Sequence, residues 1–150
     1  MISLKPTAEA STAKLPKAAY QWRIKKASFE ISKNSKNAMY VMDCEVVAPE
    51  TFAVDGVEYK TAGLEARLYC VLEEGKTQTI TALHTQLGFP LEFETNEETN
   101  MPEGIEYEGQ IFEAVGYSEE YESKDAAGNQ IVSSSGKPLK GHQNRIGQIL

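Results

Sequence analysis

Apolar and polar residues alternate at the start of residues 20–31, slip once, and alternate again. Tyr20, Trp22 and Ile24 fall on one side, and Gln21, Arg23 and Lys25 on the other. This is the period-two pattern of a half-buried strand. The slip lies at Lys26-Ala27, and Phe29 and Ile31 then resume the apolar positions. A one-residue slip sends side chains to the opposite face unless a bulge absorbs it, so the pattern predicts a long, bulged first strand. Residues 33–37, Lys-Asn-Ser-Lys-Asn, predict a turn with two ammonium groups at its tip. Residues 38–48 are apolar on both sides, with Tyr40, Met42, Cys44 and Val46 on one and Met39, Val41 and Val47 on the other. Such a strand is central, and Asp43 and Glu45 limit the cover on its second face. Pro49 removes a ladder donor and ends it.

Asp55-Gly56 is a turn dipeptide, predicting a small hairpin or a bent entry into the next strand. Residues 64–72 predict a third strand, with Leu64, Ala66, Leu68 and Cys70 inward and Arg67, Tyr69 and Val71 outward. Arg67 and Tyr69 are candidates for an exposed working face. The period changes over residues 73–87, where Ile80, Leu83 and Leu87 recur at helical spacing. Glu73 and Glu74 near the helix start suit its dipole, and Gly88-Phe89-Pro90 closes it. Residues 91–108 form an acidic connector, predicted as an exposed loop with short helical turns that lies away from any phosphate path or guards it. Residues 109–121 predict a fourth strand with Ile111, Val115 and Tyr117 at alternate positions, and Gly116 at a bulge or close approach. Residues 122–140 are turn-rich and predict a mobile loop. Residues 144–150 predict a short last strand in which Ile146 pairs with the sheet. Ile149 and Leu150 dock either in the core or on a second copy, which leaves a homo-oligomer open.

Strand, strand, strand, helix, strand, strand is the element order of an OB-fold. That fold is mainly β: a five-stranded Greek-key barrel with one helix between strands 3 and 4. Its binding face is built from strands 2 and 3 and the loops joining strands 1–2 and 4–5, here residues 33–37 and 122–140. A flexible basic arm over residues 1–19 precedes a single domain over residues 20–150.

The 150 residues suffice for one core, and no apolar run approaches the roughly 20 residues of a membrane span. The lysine-bearing start has no apolar signal segment. Cys44 and Cys70 sit in strand-like apolar runs and are expected as reduced, buried thiols, which favours a cytoplasmic setting. The net charge of −7 is unevenly spread. Residues 1–40 carry eight Lys/Arg against two Asp/Glu, a net +6; residues 41–122 carry three against nineteen, −16; residues 123–150 carry four against one, +3. If the basic parts converge, a cationic face exists on an acidic body; otherwise the lysines only solubilise an arm and two loops.

His84 and His142 have no partner at metal-ligand spacing, and the two cysteines form no C-x-x-C pair. No metal or other cofactor is expected, and His84 is expected to be solvated or half-buried on the helix. Phosphate-binding glycine loops and a nucleophile elbow are absent from the sequence. Asp43 with Glu45 is a thin basis for a metal-dependent nuclease, so no enzyme and no catalytic residue is expected.

A sequence of features carries a family resemblance: Ile31-Ser32-Lys33…Asn37-Ala38-Met39…Val47-Ala48-Pro49, then Val54-Asp55-Gly56, then Leu83…Leu87-Gly88-Phe89-Pro90, then Gly109-Gln110-Ile111-Phe112-Glu113-Ala114, then Asn144-Arg145-Ile146. In this order it resembles phage-encoded single-stranded-DNA-binding proteins of replication and recombination modules, over most of residues 20–150. The chain departs from that pattern in its long acidic connector and in lacking the acidic C-terminal tail with which many such proteins recruit partners. The resemblance implies sequence-tolerant binding of single strands in the cytoplasm (the host's, for a phage protein), with replication or recombination proteins as further partners. Cations neutralise phosphates and rings stack on bases of any identity. Candidates for phosphate contact are Arg23, Lys25, Lys33, Lys36, Arg67, Lys137 and Lys140. Candidates for stacking are Trp22, Tyr40 and Tyr69, with Trp22 equally readable as a core residue and Tyr40 more readily as core than as surface. The alternative is a protein-interaction module on the same barrel that recruits or loads a recombinase or polymerase.

Overall fold

The computed structural model describes residues 14–122 and 140–150, and of residues 121, 122, 140 and 141 the backbone alone. Seven strands and one helix follow in order: β1 (Ala18–Ile31), β2 (Ala38–Ala48), β3 (Thr51–Val54), β4 (Val57–Lys60), β5 (Glu65–Val71), α1 (Gln78–Leu87), β6 (Ile111–Glu122) and β7 (Lys140–Ile149). Five strands form one antiparallel sheet in the order β5-β2-β1-β6-β7, and β3 and β4 form a separate hairpin. The two edge strands, β5 and β7, approach each other without a hydrogen-bonded ladder, and α1 packs against β5, β6 and β7. The sheet therefore curls until its edges face, with the helix at the meeting point. Among the described residues no helix is long and apolar enough to cross a membrane.

The core follows from the alternation. Tyr20, Trp22 and Ile24 of β1 are buried, as are Tyr40, Met42, Cys44 and Val46 of β2 and Ala66, Leu68 and Cys70 of β5. The slip in β1 is a register shift between Ile24 and Lys26, with Lys25 as the extra residue. It lets Ala27 and Phe29 stay on the core side after the bulge.

On β6 the inward residues are Phe112, Ala114 and Gly116, whereas Ile111 is exposed and Val115 and Tyr117 are half-buried. The expected phase for this strand was thus off by one, because Phe112 pairs across from Trp22 and fills the space beneath it. Gly116 lies at a register shift against β7. A Cβ there would come within 2.5 Å of Leu15 and 2.7 Å of Trp22, so a bare backbone is what the Trp22 ring requires.

Four expectations change. The helix spans Gln78–Leu87 only, and no acidic residue lies in its first turn; Gly75 and the threonines delay it past Glu73 and Glu74. Residues 91–108 contain no helix. They hold a single bridge, Thr95 to Pro102, and send Phe93, Met101, Ile105 and Tyr107 into or against the core. β7 is ten residues long rather than a short tail. The domain takes in residues before 20: Leu15 is buried, its N–H donates to Ser118 Oγ at 2.6 Å, and Lys14 pairs with Glu120 at 3.4 Å.

Candidate nucleic-acid interface

Register sets which side chains share the outer face of the sheet. Across β1, β2 and β5 the rows read Arg23–Glu45–Glu65, Lys26–Asp43–Arg67 and Ser28–Val41–Tyr69. Their inward neighbours are core residues, so the period of two puts these side chains on the outer face, where Val41 is nonetheless buried. Arg67 and Tyr69 are exposed there, Tyr69 at 40%.

The backbone of β5 adds a second feature. Val46 N–H donates to Leu64 O and Leu72 N–H donates to Ala38 O, each at 2.9 Å. In an antiparallel ladder, hydrogen-bonded positions alternate. The even-numbered residues from 64 to 72 thus bond β2, and Glu65, Arg67, Tyr69 and Val71 turn their N–H and C=O groups toward β7. A groove of about 570 Å³ runs along this seam, lined by Lys25, Lys26, Arg67, Tyr69, Gln143 and Asn144 among others. A second hollow of about 350 Å³ continues it past Arg67 and Tyr69 to Tyr117 and Arg145. Lys26, Tyr117, Gln143, Asn144 and Arg145 line these hollows and join the candidates named from sequence. Residues 144–149 do lie in a strand, β7, and its place beside β5 depends on how the sheet curls.

Ion pairs already occupy the face. Arg23 pairs with Glu45 at 3.2 Å, Lys25 with Glu65 at 2.7 Å, Arg67 with Asp43 at 2.9 Å and Arg145 with Glu119 at 3.2 Å. Glu65, by hydrogen bond and by charge, holds the Lys25 ammonium above its usual pKa. The Tyr69 phenol and Asp43 do the same for the Arg67 guanidinium. These cations stay charged throughout the neutral range, and the face they share with the carboxylates is mixed in sign rather than a cationic trough.

The other candidates separate. Trp22 is fully buried, and its Nε1–H donates to the Ala114 carbonyl at 3.1 Å. Tyr40 is buried against Phe29 and Tyr107 and donates to the Asn100 carbonyl at 2.9 Å. Neither ring can stack on a base; both are needed to fill the interior of a small curled sheet. Tyr69 alone of the three stacking candidates offers a ring to solvent. Lys33 and Lys36 are exposed at the β1–β2 turn, where Lys36 takes a left-handed backbone (φ 56°). Five residues of strand, roughly 16 Å, separate the end of β1 from the Lys26–Arg67 row, so the tip and the groove are distinct patches. Lys137 lies outside the described residues. Lys140 opens β7, where its backbone pairs with Glu122.

His84 is also buried, contrary to expectation. Its Nδ1–H donates to the Pro90 carbonyl at 2.7 Å, so Nε2 accepts from the Tyr107 hydroxyl at 2.6 Å. The imidazole fastens the acidic connector to the helix. Cys44 and Cys70 are free and buried, and no group of three or more His, Cys, Asp or Glu arranged to hold a metal occurs among the described residues. No protein-family model matches this chain, and no curated protein or solved structure does either.

Proposed function

We propose that the chain is an OB-type barrel, opened along the β5–β7 seam, that binds single-stranded DNA with little regard to sequence. The strand order β5-β2-β1-β6-β7, with the helix between the third and fourth strands of the sheet, supports the barrel reading. One observation carries the functional reading: Arg67 and Tyr69 stand exposed side by side in a groove that Lys25, Lys26 and, at its far end, Arg145 also line. Cations at that spacing suit phosphates, and Tyr69 and Tyr117 offer rings for bases of any kind. The reading is one of binding without catalysis.

Titration of a labelled oligothymidylate tests it. Micromolar or tighter binding is expected at low salt, falling steeply between about 50 and 200 mM. Tyr69→Ala is expected to weaken binding by the roughly 1–3 kcal/mol of one stacked base, and Arg67→Glu by a comparable or larger factor. Absence of binding at low salt, or binding indifferent to salt, refutes the proposal. A second reading, a protein-interaction module that loads a recombinase or polymerase, is favoured by the carboxylates that already neutralise Arg23, Lys25 and Arg67. Capture of such a partner without oligonucleotide binding would support it instead.

A further inference from the structure

We propose that Asp43, Glu45 and Glu65 stand in for phosphates on the outer face, so that a single strand binds by displacing them. This inference rests on the single-strand reading above and concerns how that site is restrained. Three observations carry it. First, three cations of the β1–β2–β5 face pair with carboxylates of the same face: Arg23 with Glu45, Arg67 with Asp43 and Lys25 with Glu65.

Second, the Lys25–Glu65 pair is not a contact between adjacent strands. Lys25 belongs to β1 and Glu65 to β5, and β2 runs between them. The ammonium therefore reaches over β2, a span of about 9–10 Å between backbones. The bulge at Lys25 is what aims it there. This strap crosses the path of any chain laid along the β2–β5 face, and the same two residues line the groove. Third, two of the pairs are exposed, with side-chain exposures of 43% and 63% for Lys25 and Glu65 and 59% and 44% for Arg67 and Asp43, while Glu45 beside Arg23 is half-buried at 25%. Exposed pairs are individually weak, which makes them exchangeable. A phosphate oxygen can replace a carboxylate oxygen at each cation with no change in backbone.

The outcome is a site with moderate affinity and quick release. Each carboxylate that loses its cation is left facing the incoming phosphates, so weak or isolated anions fail to open the face. A strand that engages several cations at once succeeds.

The test compares two triple variants with the same change in net charge. Asp43→Asn/Glu45→Gln/Glu65→Gln removes the three carboxylates of the face. Glu92→Gln/Glu97→Gln/Glu103→Gln removes three exposed ones from the connector. Oligothymidylate affinity is measured for both and for the unaltered chain over a range of salt. The face variant is expected to bind about tenfold tighter or more, at roughly two- to fivefold per pair. Its salt slope is expected to steepen by up to about 2, because three carboxylates no longer regain counterions when their cations turn to phosphates. The connector variant should shift affinity far less and leave the slope unchanged. Circular dichroism and a melting curve verify that both variants fold. Equal tightening by the two variants overturns it while leaving the single-strand reading intact. Failure of all three proteins to bind at low salt overturns both.

Discussion

Trp22 shows how far a single residue can be read from sequence. Its alternation with Gln21 and Arg23 told that it shared a face with Tyr20 and Ile24, and that face is buried. What sequence could not tell is which face of the first ribbon would meet water, because an aromatic stripe suits a core and a base platform alike. Phe112 across the sheet and the missing side chain at Gly116 decided for the core. Trp22→Ala should accordingly cost about 3–5 kcal/mol in urea unfolding, the range for emptying a large aromatic site. The two thiols are a second case, legible from the apolar runs around them. Burial pushes the Cys70 thiol up to about 12 and the Cys44 thiol higher than its usual range, and the Tyr20 phenol is likewise raised to about 12. The folded state thus favours the protonated forms. Their contribution to stability is complete below the ordinary thiol value of 9.0 and is lost as pH climbs toward 12. Urea midpoints should be flat from neutral to about pH 8.5 and fall above pH 9. A midpoint unchanged at pH 11 would contradict this.

At the scale of elements, strands whose partners lie close in sequence were the most legible. β5 alternates cleanly, β2 is apolar on both sides as a central strand is, and the bulge in β1 announced itself in the slip at Lys26-Ala27. The connector was the least legible. Its glutamates outnumber its apolar residues, and an acidic stretch reads as solvated. Yet Phe93, Met101, Ile105 and Tyr107 anchor it, and His84 ties it to α1 through Pro90 and Tyr107. Sparse anchors carry little periodicity and leave no mark in a pattern search. β5 has a testable asymmetry of its own. Amides of Ala66, Leu68 and Cys70 bond β2, whereas those of Arg67, Tyr69 and Val71 face the seam. Hydrogen exchange resolved by residue should show the odd-numbered amides exchanging faster than the even-numbered ones. Uniform protection along the strand would mean that β5 and β7 form a ladder in solution.

For the molecule as a whole, the basic segments at the two ends of the chain suggested a single cationic trough. The described structure divides them. Lys33 and Lys36 crown the first turn, and Arg67, Arg145, Lys25 and Lys26 border the groove. This division was invisible in sequence because it depends on which strands become neighbours. Charge reversal should therefore act unequally: Arg67→Glu should weaken oligonucleotide binding severalfold more than Lys33→Glu or Lys36→Glu, measured at one salt concentration. The seam between β5 and β7 has a mechanical meaning too. A cylinder whose staves are all hydrogen-bonded resists widening, since bonds must break to let anything in. Here no ladder joins the lips, so parting them would leave every rung of the five-stranded sheet intact.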